Sequence, residues 1–109
     1  MHLNDEDLVE LIKLARDAVE NFLIKNIRIT ASDNIARKYG EKAGVFVTLN
    51  SVRNKSEELR GCIGFPMPEK MLHDAVISAA IASATSDPRF KPVSKEELYS
   101  IGYRLNSLE

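Results

Sequence analysis

Tryptophan is absent from this chain and aromatic residues make up only 6% of it, so any core it builds must be mostly aliphatic. The single cysteine, Cys62, excludes an internal disulfide and a cysteine-rich zinc site. The two histidines, His2 and His73, stand far apart and show no metal-ligand spacing with it. Neither sign of charge dominates. Fifteen Lys and Arg against sixteen Asp and Glu leave a net charge of -1, which provides no global field toward nucleic acid or a membrane. Long hydrophobic runs are missing as well: the longest, Ala75 to Ala84, is broken by Ser78 and Ser83 and falls short of the roughly 20 residues a bilayer crossing needs. The acidic opening Asn4-Asp5-Glu6-Asp7 lacks the basic-then-apolar build of a signal peptide, and a cytoplasmic location is the default.

What is present suits one globular domain. The 109 residues are 44% hydrophobic and 28% charged, with room for a single core. Asn4 is placed to cap a helix whose first turn carries Asp5, Glu6 and Asp7. Leu8, Leu11, Ile12, Ala15, Ala18, Val19, Phe22 and Leu23 then recur at helical spacing, predicting an amphipathic helix from Asp5 to Lys25. Asn26 to Gly44 reads as a polar connection with one helical turn near Ile35 to Tyr39. From Lys25 to Lys42 there is a modest basic excess (Lys25, Arg28, Arg37, Lys38, Lys42) that is ordinary for a solvated surface.

Val45 to Leu49 is apolar on both faces and predicts a central strand. A hairpin loop over Ser51 to Glu57 leads to an antiparallel strand from Glu58 to Ile63, ended by Pro66 and Pro68. Lys70 to Thr85 has the composition of a buried helix sandwiched between layers. Ser86-Asp87-Pro88 stops it, Ser94 with Glu97 forms a capping box, and Ile101 to Leu105 alternates as a third strand. The class is α+β with a largely antiparallel sheet and packed helices.

Two segments stand out chemically. In Leu59-Arg60-Gly61-Cys62-Ile63-Gly64, an extended backbone points Leu59, Ile63 and Phe65 to one face and Arg60 and Cys62 to the other. Glycines around Cys62 imply either a closely packed backbone or room for a ligand. Arg60 and a helix start just downstream are features that favour a thiolate, so Cys62 is a candidate catalytic nucleophile with His73 as the obvious base. Against this, free cysteine usually behaves as a small buried hydrophobe. Gly61 to Gly64 has a GxxG spacing with apolar middle residues, a weak nucleic-acid signal. The approach from Gly64 to Glu69 into the next helix could offer free N–H groups to a phosphate or carboxylate.

In Asp87-Pro88-Arg89-Phe90-Lys91-Pro92, Phe90 is expected as a core anchor. Arg89 is either an anion clamp or, more often for such pairs, the partner of Asp87. The candidate ligand-binding residues are Arg60, Gly61, Cys62, Gly64 and Arg89. Nothing in the sequence specifies a cofactor.

Taken together, Leu59 to Gly64, Asp87-Pro88-Arg89-Phe90 with Pro92, and the strand Gly44 to Leu49 resemble the AMMECR domain family, named for a chromosomal region linked to Alport syndrome, midface hypoplasia and elliptocytosis. The resemblance covers nearly the whole chain. It implies an α+β fold with a largely antiparallel sheet and no firmly assigned activity. It also implies suggested roles in RNA or nucleotide binding or in catalysis at the hexapeptide, with Memo-type and radical-SAM proteins as associates. The motif defines no catalytic histidine. Family domains continue well beyond the third strand, so the chain corresponds to the N-terminal part of the domain, shortened at its C-terminus. An uncovered sheet edge or helix face then predicts a homo-oligomer or a swapped arrangement.

Three readings follow. A binding or adaptor module with a small anion or nucleotide site near the hexapeptide, using exposed Arg60 and Arg89, comes first. An enzyme acting on a small molecule or RNA through Cys62 comes second. Sequence-general RNA binding comes third, disfavoured by the near-neutral charge and the lack of interleaved aromatics.

Overall fold

The computed structural model describes residues 2–108. Helix α1 spans Asp5–Lys25 and begins where the sequence places its cap. Asn4 Oδ1 accepts from the Asp7 N–H at 2.8 Å, and Asp7 Oδ2 accepts from the Asn4 N–H at 3.0 Å. It ends at Asn26, which takes the left-handed conformation at φ 56°. Leu11, Leu14, Ala15, Ala18 and Val19 form its buried face. The expected helical turn in the connection is α2, Asp33–Lys38, capped by Ser32. Tyr39 follows and is buried; its hydroxyl lies 2.6 Å from Glu10 Oε1 and 2.9 Å from Asp7 Oδ1, fastening α2 to α1.

The sheet has three antiparallel strands, β1 (Gly44–Arg53), β2 (Ser56–Phe65) and β3 (Ile101–Leu108), in the order β2-β1-β3. The apolar β1 is central, as its two-sided hydrophobicity requires. The hairpin differs from the expected loop over Ser51 to Glu57. Pairing runs out to Arg53 opposite Ser56, and Asn54 at φ 55° supplies the left-handed residue of a tight turn. A bulge falls between Leu49 and Asn50, opposite Gly61 and Leu59, so Arg60 is the extra residue of β2. That corrects the facing read from simple alternation. Thr48 opposes Cys62 and Asn50 opposes Leu59, so Leu59 shares the face of Cys62.

Helix α3, Leu72–Thr85, lies between α1 and the sheet, and its residues Leu72, Ala75, Val76, Ile77, Ala79, Ala80, Ser83 and Ala84 are buried. Across from it the sheet contributes Val45, Val47, Leu49, Ile101, Tyr103 and Leu105. A 3-10 helix, Lys95–Ser100, carries the expected box between Ser94 and Glu97 and leads into β3. Phe90 is only half-buried and stacks under Arg89. The loop's core anchor is Val93, whose N–H also bonds the Ala84 carbonyl.

The tightest contact joins α3 to β2. A Cβ placed on Gly61 would sit 2.0 Å from the Ser83 carbonyl oxygen, so only glycine lets the two backbones meet. The Ser83 hydroxyl, fully buried, accepts from the Ile63 N–H at 2.8 Å and donates to the Val47 carbonyl at 2.7 Å, stitching β1, β2 and α3 together. Gly61→Ala should therefore destabilise the protein by about 3 kcal/mol or more, at the upper end of overpacking effects. Urea denaturation of the variant against the parent chain measures it; a loss under about 1 kcal/mol would contradict this contact.

Candidate functional site at the edge of the cysteine strand

The close approach at Gly61 brings the residues just after α3 against the outer edge of β2. Asp87 lies there, its side chain only 2% exposed. One of its oxygens, Oδ2, accepts from the Cys62 N–H at 3.0 Å and from Arg89 Nη2 at 2.7 Å. The other, Oδ1, accepts from the Arg89 N–H and Nε, each at 3.0 Å. A buried carboxylate is tolerable only when saturated in this way. The Arg89 guanidinium, then the Cys62 N–H, hold its carboxyl well below the ordinary carboxylate range. Arg89 Nη2 also reaches the Cys62 carbonyl at 3.5 Å, so the ion pair meets the N–H and C=O of Cys62 as a neighbouring strand's peptide groups would. The two motif segments are thus neighbours in space.

Arg89 remains 56% exposed, and among the described residues its Nη1 has no hydrogen-bond partner. Cys62 is a free, half-buried thiol whose Sγ lies 3.1 Å from Thr48 Oγ1 across the strand pair. The features expected to favour a thiolate are differently placed. Cys62 lies by the C-terminal end of α3, the negative end of its dipole, and against the carboxylate of Asp87. His73 is in the first turn of α3, about 15 Å along the axis from Ser83 at 1.5 Å per residue, so no Cys62–His73 dyad forms. The glycines leave no gap beside the thiol. Gly61 is filled by the α3 backbone, and a Cβ on Gly64 would overlap the Phe46 ring at 2.4 Å.

The start of α3 offers no free anion cradle either. The N–H groups of Leu72, His73, Asp74 and Ala75 are taken by the carbonyls of Glu41, Tyr39, Met71 and Met71. Arg60, expected to be exposed, has a side chain only 15% exposed. Its Nε and Nη2 hold Glu97 Oε1 and Oε2 at 2.9 and 3.1 Å, and its Nη1 donates to the Lys91 carbonyl at 2.8 Å. Sequence reasoning missed Ser83, Thr48 and the long-range reach of Asp87. Its place as one of two serines in the alanine-rich stretch of α3 was the one available signal for the first. A separate cleft of about 390 Å³, lined by Asp7, Arg37, Lys38, Tyr39 and Glu41, opens between α1 and α2, away from the motifs.

These features define an α+β domain whose hexapeptide strand is clasped by an Asp-Pro-Arg-Phe turn. The family model AMMECR1 matches residues 12–109, and the chain belongs to that family. A protein of Methanothermobacter thermautotrophicus is 45% identical over 98 residues, which are 90% of this chain and 49% of that protein. One from Pyrococcus abyssi is 47% identical over 92 residues, 84% of this chain and 45% of its own. The crystal structure of an uncharacterized protein from Pyrococcus horikoshii superposes with a TM-score of 0.89 at 41% identity, covering 96% of this chain and 52% of that one. The chain spans about half the length of these relatives. No helix among the described residues is long and apolar enough to cross a membrane.

The clasp makes the fold acid-sensitive. The Arg60 guanidinium, aided by the Ser94 N–H and hydroxyl, holds the Glu97 carboxyl down at about 2 against an ordinary 4.5. Because the folded value is the lower one, the unfolded chain takes up the proton first. The stability this pair contributes is complete above about pH 4.5 and drains as the pH falls through about 2. Urea midpoints measured across that window should fall with acidification, and Glu97→Gln should flatten the dependence; an unchanged slope in the variant would exclude the assignment.

Proposed function

We propose that the chain is a binding module that takes a small anion, a carboxylate or the phosphate of a nucleotide, at the Cys62 edge of β2. Arg89 is the contact. What carries the reading is the Asp87 clasp, which fixes the guanidinium of this half-exposed side chain by two side-chain hydrogen bonds and leaves Nη1 without a partner among the described residues. A guanidinium held this way loses little side-chain freedom on binding, and its remaining donor suits an oxyanion. Cys62 and Thr48 stand beside it as the polar groups of the sheet face. Gly61 and Gly64 serve by allowing the backbone and Phe46 to pack where they do. Arg60 supports the edge from below through Glu97.

Asp87 neutralises most of the charge on Arg89, so the affinity is weak, about 4 kcal/mol or a millimolar dissociation constant. The same chemistry serves an adaptor role when the anion belongs to a protein, in keeping with the Memo-type and radical-SAM associates the family resemblance implies.

Titration of the 15N-labelled protein with phosphate, acetate and AMP should shift the amides of Cys62 and Arg89. Arg89→Ala should abolish the shifts, and Cys62→Ser should keep them. Unchanged spectra at saturating phosphate and AMP would overturn the binding reading. Loss of a catalytic activity in folded Cys62→Ser would favour the thiol enzyme instead.

A further inference from the structure

Beside Arg89 the edge of β2 is open for a single residue. β2 is an outer strand of the sheet, and Cys62 turns its N–H away from β1 to Asp87. Two residues on in the same alternation, Gly64 turns both its N–H and its C=O outward. Ile63 between them turns inward, giving its N–H to the Ser83 hydroxyl. Among the described residues, Gly64 makes no hydrogen bond outside the sheet. The edge is stopped on one side at Cys62, where Asp87 takes the N–H and Arg89 Nη2 lies 3.5 Å from the carbonyl. It is stopped on the other at Pro66, which has no N–H to give. Both stops are residues well inside the chain.

The surroundings of Gly64 are apolar. On the outer face the Phe46 ring lies across it, 2.4 Å from where a Cβ would stand. At the end of the strand Phe65, Pro66, Met67, Glu69 and Lys70 line a small cleft of about 120 Å³.

We infer that this edge takes the last three residues of another protein's chain, paired antiparallel to β2, with the free C-terminal carboxylate on Arg89. The inference rests on the anion reading of Arg89 and names its ligand. In this pairing the next-to-last residue exchanges two hydrogen bonds with Gly64. Its side chain falls on the outer face beside the Phe46 ring, so an apolar one suits it. The residue before it falls opposite Phe65, at the mouth of the cleft, and the final residue falls opposite Ile63. The register is single, because Gly64 is the one residue between the two stops that offers both peptide groups. Arg89 also decides where the bound chain ends. Its guanidinium stands where the N–H of one more residue would approach the Cys62 carbonyl, so the strand stops there, against a cation. A carboxylate complements that cation, whereas a parallel strand would bring an amino terminus to it. Main-chain bonds then supply affinity and the flanking side chains supply selectivity, as in other strand additions.

The test uses the peptide acetyl-Ser-Leu-Val-Ala with a free carboxylate, titrated into the 15N-labelled protein. It should shift the amide of Gly64 together with those of Cys62 and Arg89. Two added peptide hydrogen bonds should place its dissociation constant about tenfold or more below that for acetate. Amidating the C-terminus should weaken binding about tenfold, the worth of one charged hydrogen bond. N-methylation of the valine should bring the affinity back toward that of acetate, and Arg89→Ala should make the acid and the amide bind alike. If acetate shifts Cys62 and Arg89 while the peptide binds no tighter and leaves Gly64 unmoved, the strand pairing is wrong and the anion site stands. An amide that binds as well as the acid would also refute the pairing, and silence toward both acetate and peptide would remove the anion site with it.

Discussion

The meeting of two backbones at Gly61 and Ser83 is the constraint on which the rest of the structure rests. Helix α3 reaches the sheet here without an intervening side chain. The Ser83 hydroxyl then satisfies peptide groups of both β1 and β2. Because the helix is pinned at this point and ends two residues later, the chain that follows must run along the outer edge of β2. Asp87 lands on the Cys62 N–H for that reason. The hexapeptide and the Asp-Pro-Arg-Phe turn are parts of one device rather than two independent motifs.

That device solves a general problem of open sheets. A bare strand edge invites pairing, and proteins usually blunt it with charge, proline or a covering segment. Here a saturated carboxylate and a guanidinium stand in for the peptide groups of a missing strand at Cys62, while Pro88 and Pro92 flank them. The second ion pair, Arg60 with Glu97, together with the Lys91 and Pro92 carbonyls, ties the bulge one residue before Gly61 to the loop after α3. Both pairs are rich in hydrogen bonds and partly shielded, which separates them from ordinary surface pairs of little worth. Of the two guanidiniums, Arg89 keeps a whole terminal nitrogen, Nη1, without a partner among the described residues, so a structural clasp and a recognition group coincide in one side chain.

The outer face of the sheet is less defined by charge. Phe46 lies across Gly64, Thr48 touches Cys62, and Arg104 pairs with Glu57 at 2.7 Å. Leu59 joins this face because of the bulge, adding exposed apolar surface beside the thiol. A cysteine in such surroundings is a small, semi-buried polar-edge residue of the sheet. Its neighbours supply a hydroxyl and a carboxylate-held guanidinium, with no imidazole within the same cluster.

Much of the secondary structure was legible because it is written in local patterns. The Asn4 cap with Asp7, the helical stripe from Leu8 to Leu23, the central β1, the proline stop after Phe65 and the Ser94–Glu97 box are all short-range consequences of side-chain shape and hydrogen bonding. The sequence by itself also determined the family, since two spaced motifs on one chain identify it. Long-range choices were beyond it. Which face Leu59 takes depends on a single bulge, which shifts every later side chain by one and leaves no periodic trace. That Arg60 is consumed while Arg89 is half free depends on where a helix end docks. That Cys62 lies at the negative rather than the positive end of α3 depends on the helix running back across the sheet. Local sequence sets propensities and caps, but only the packed backbone decides which distant donors and acceptors meet.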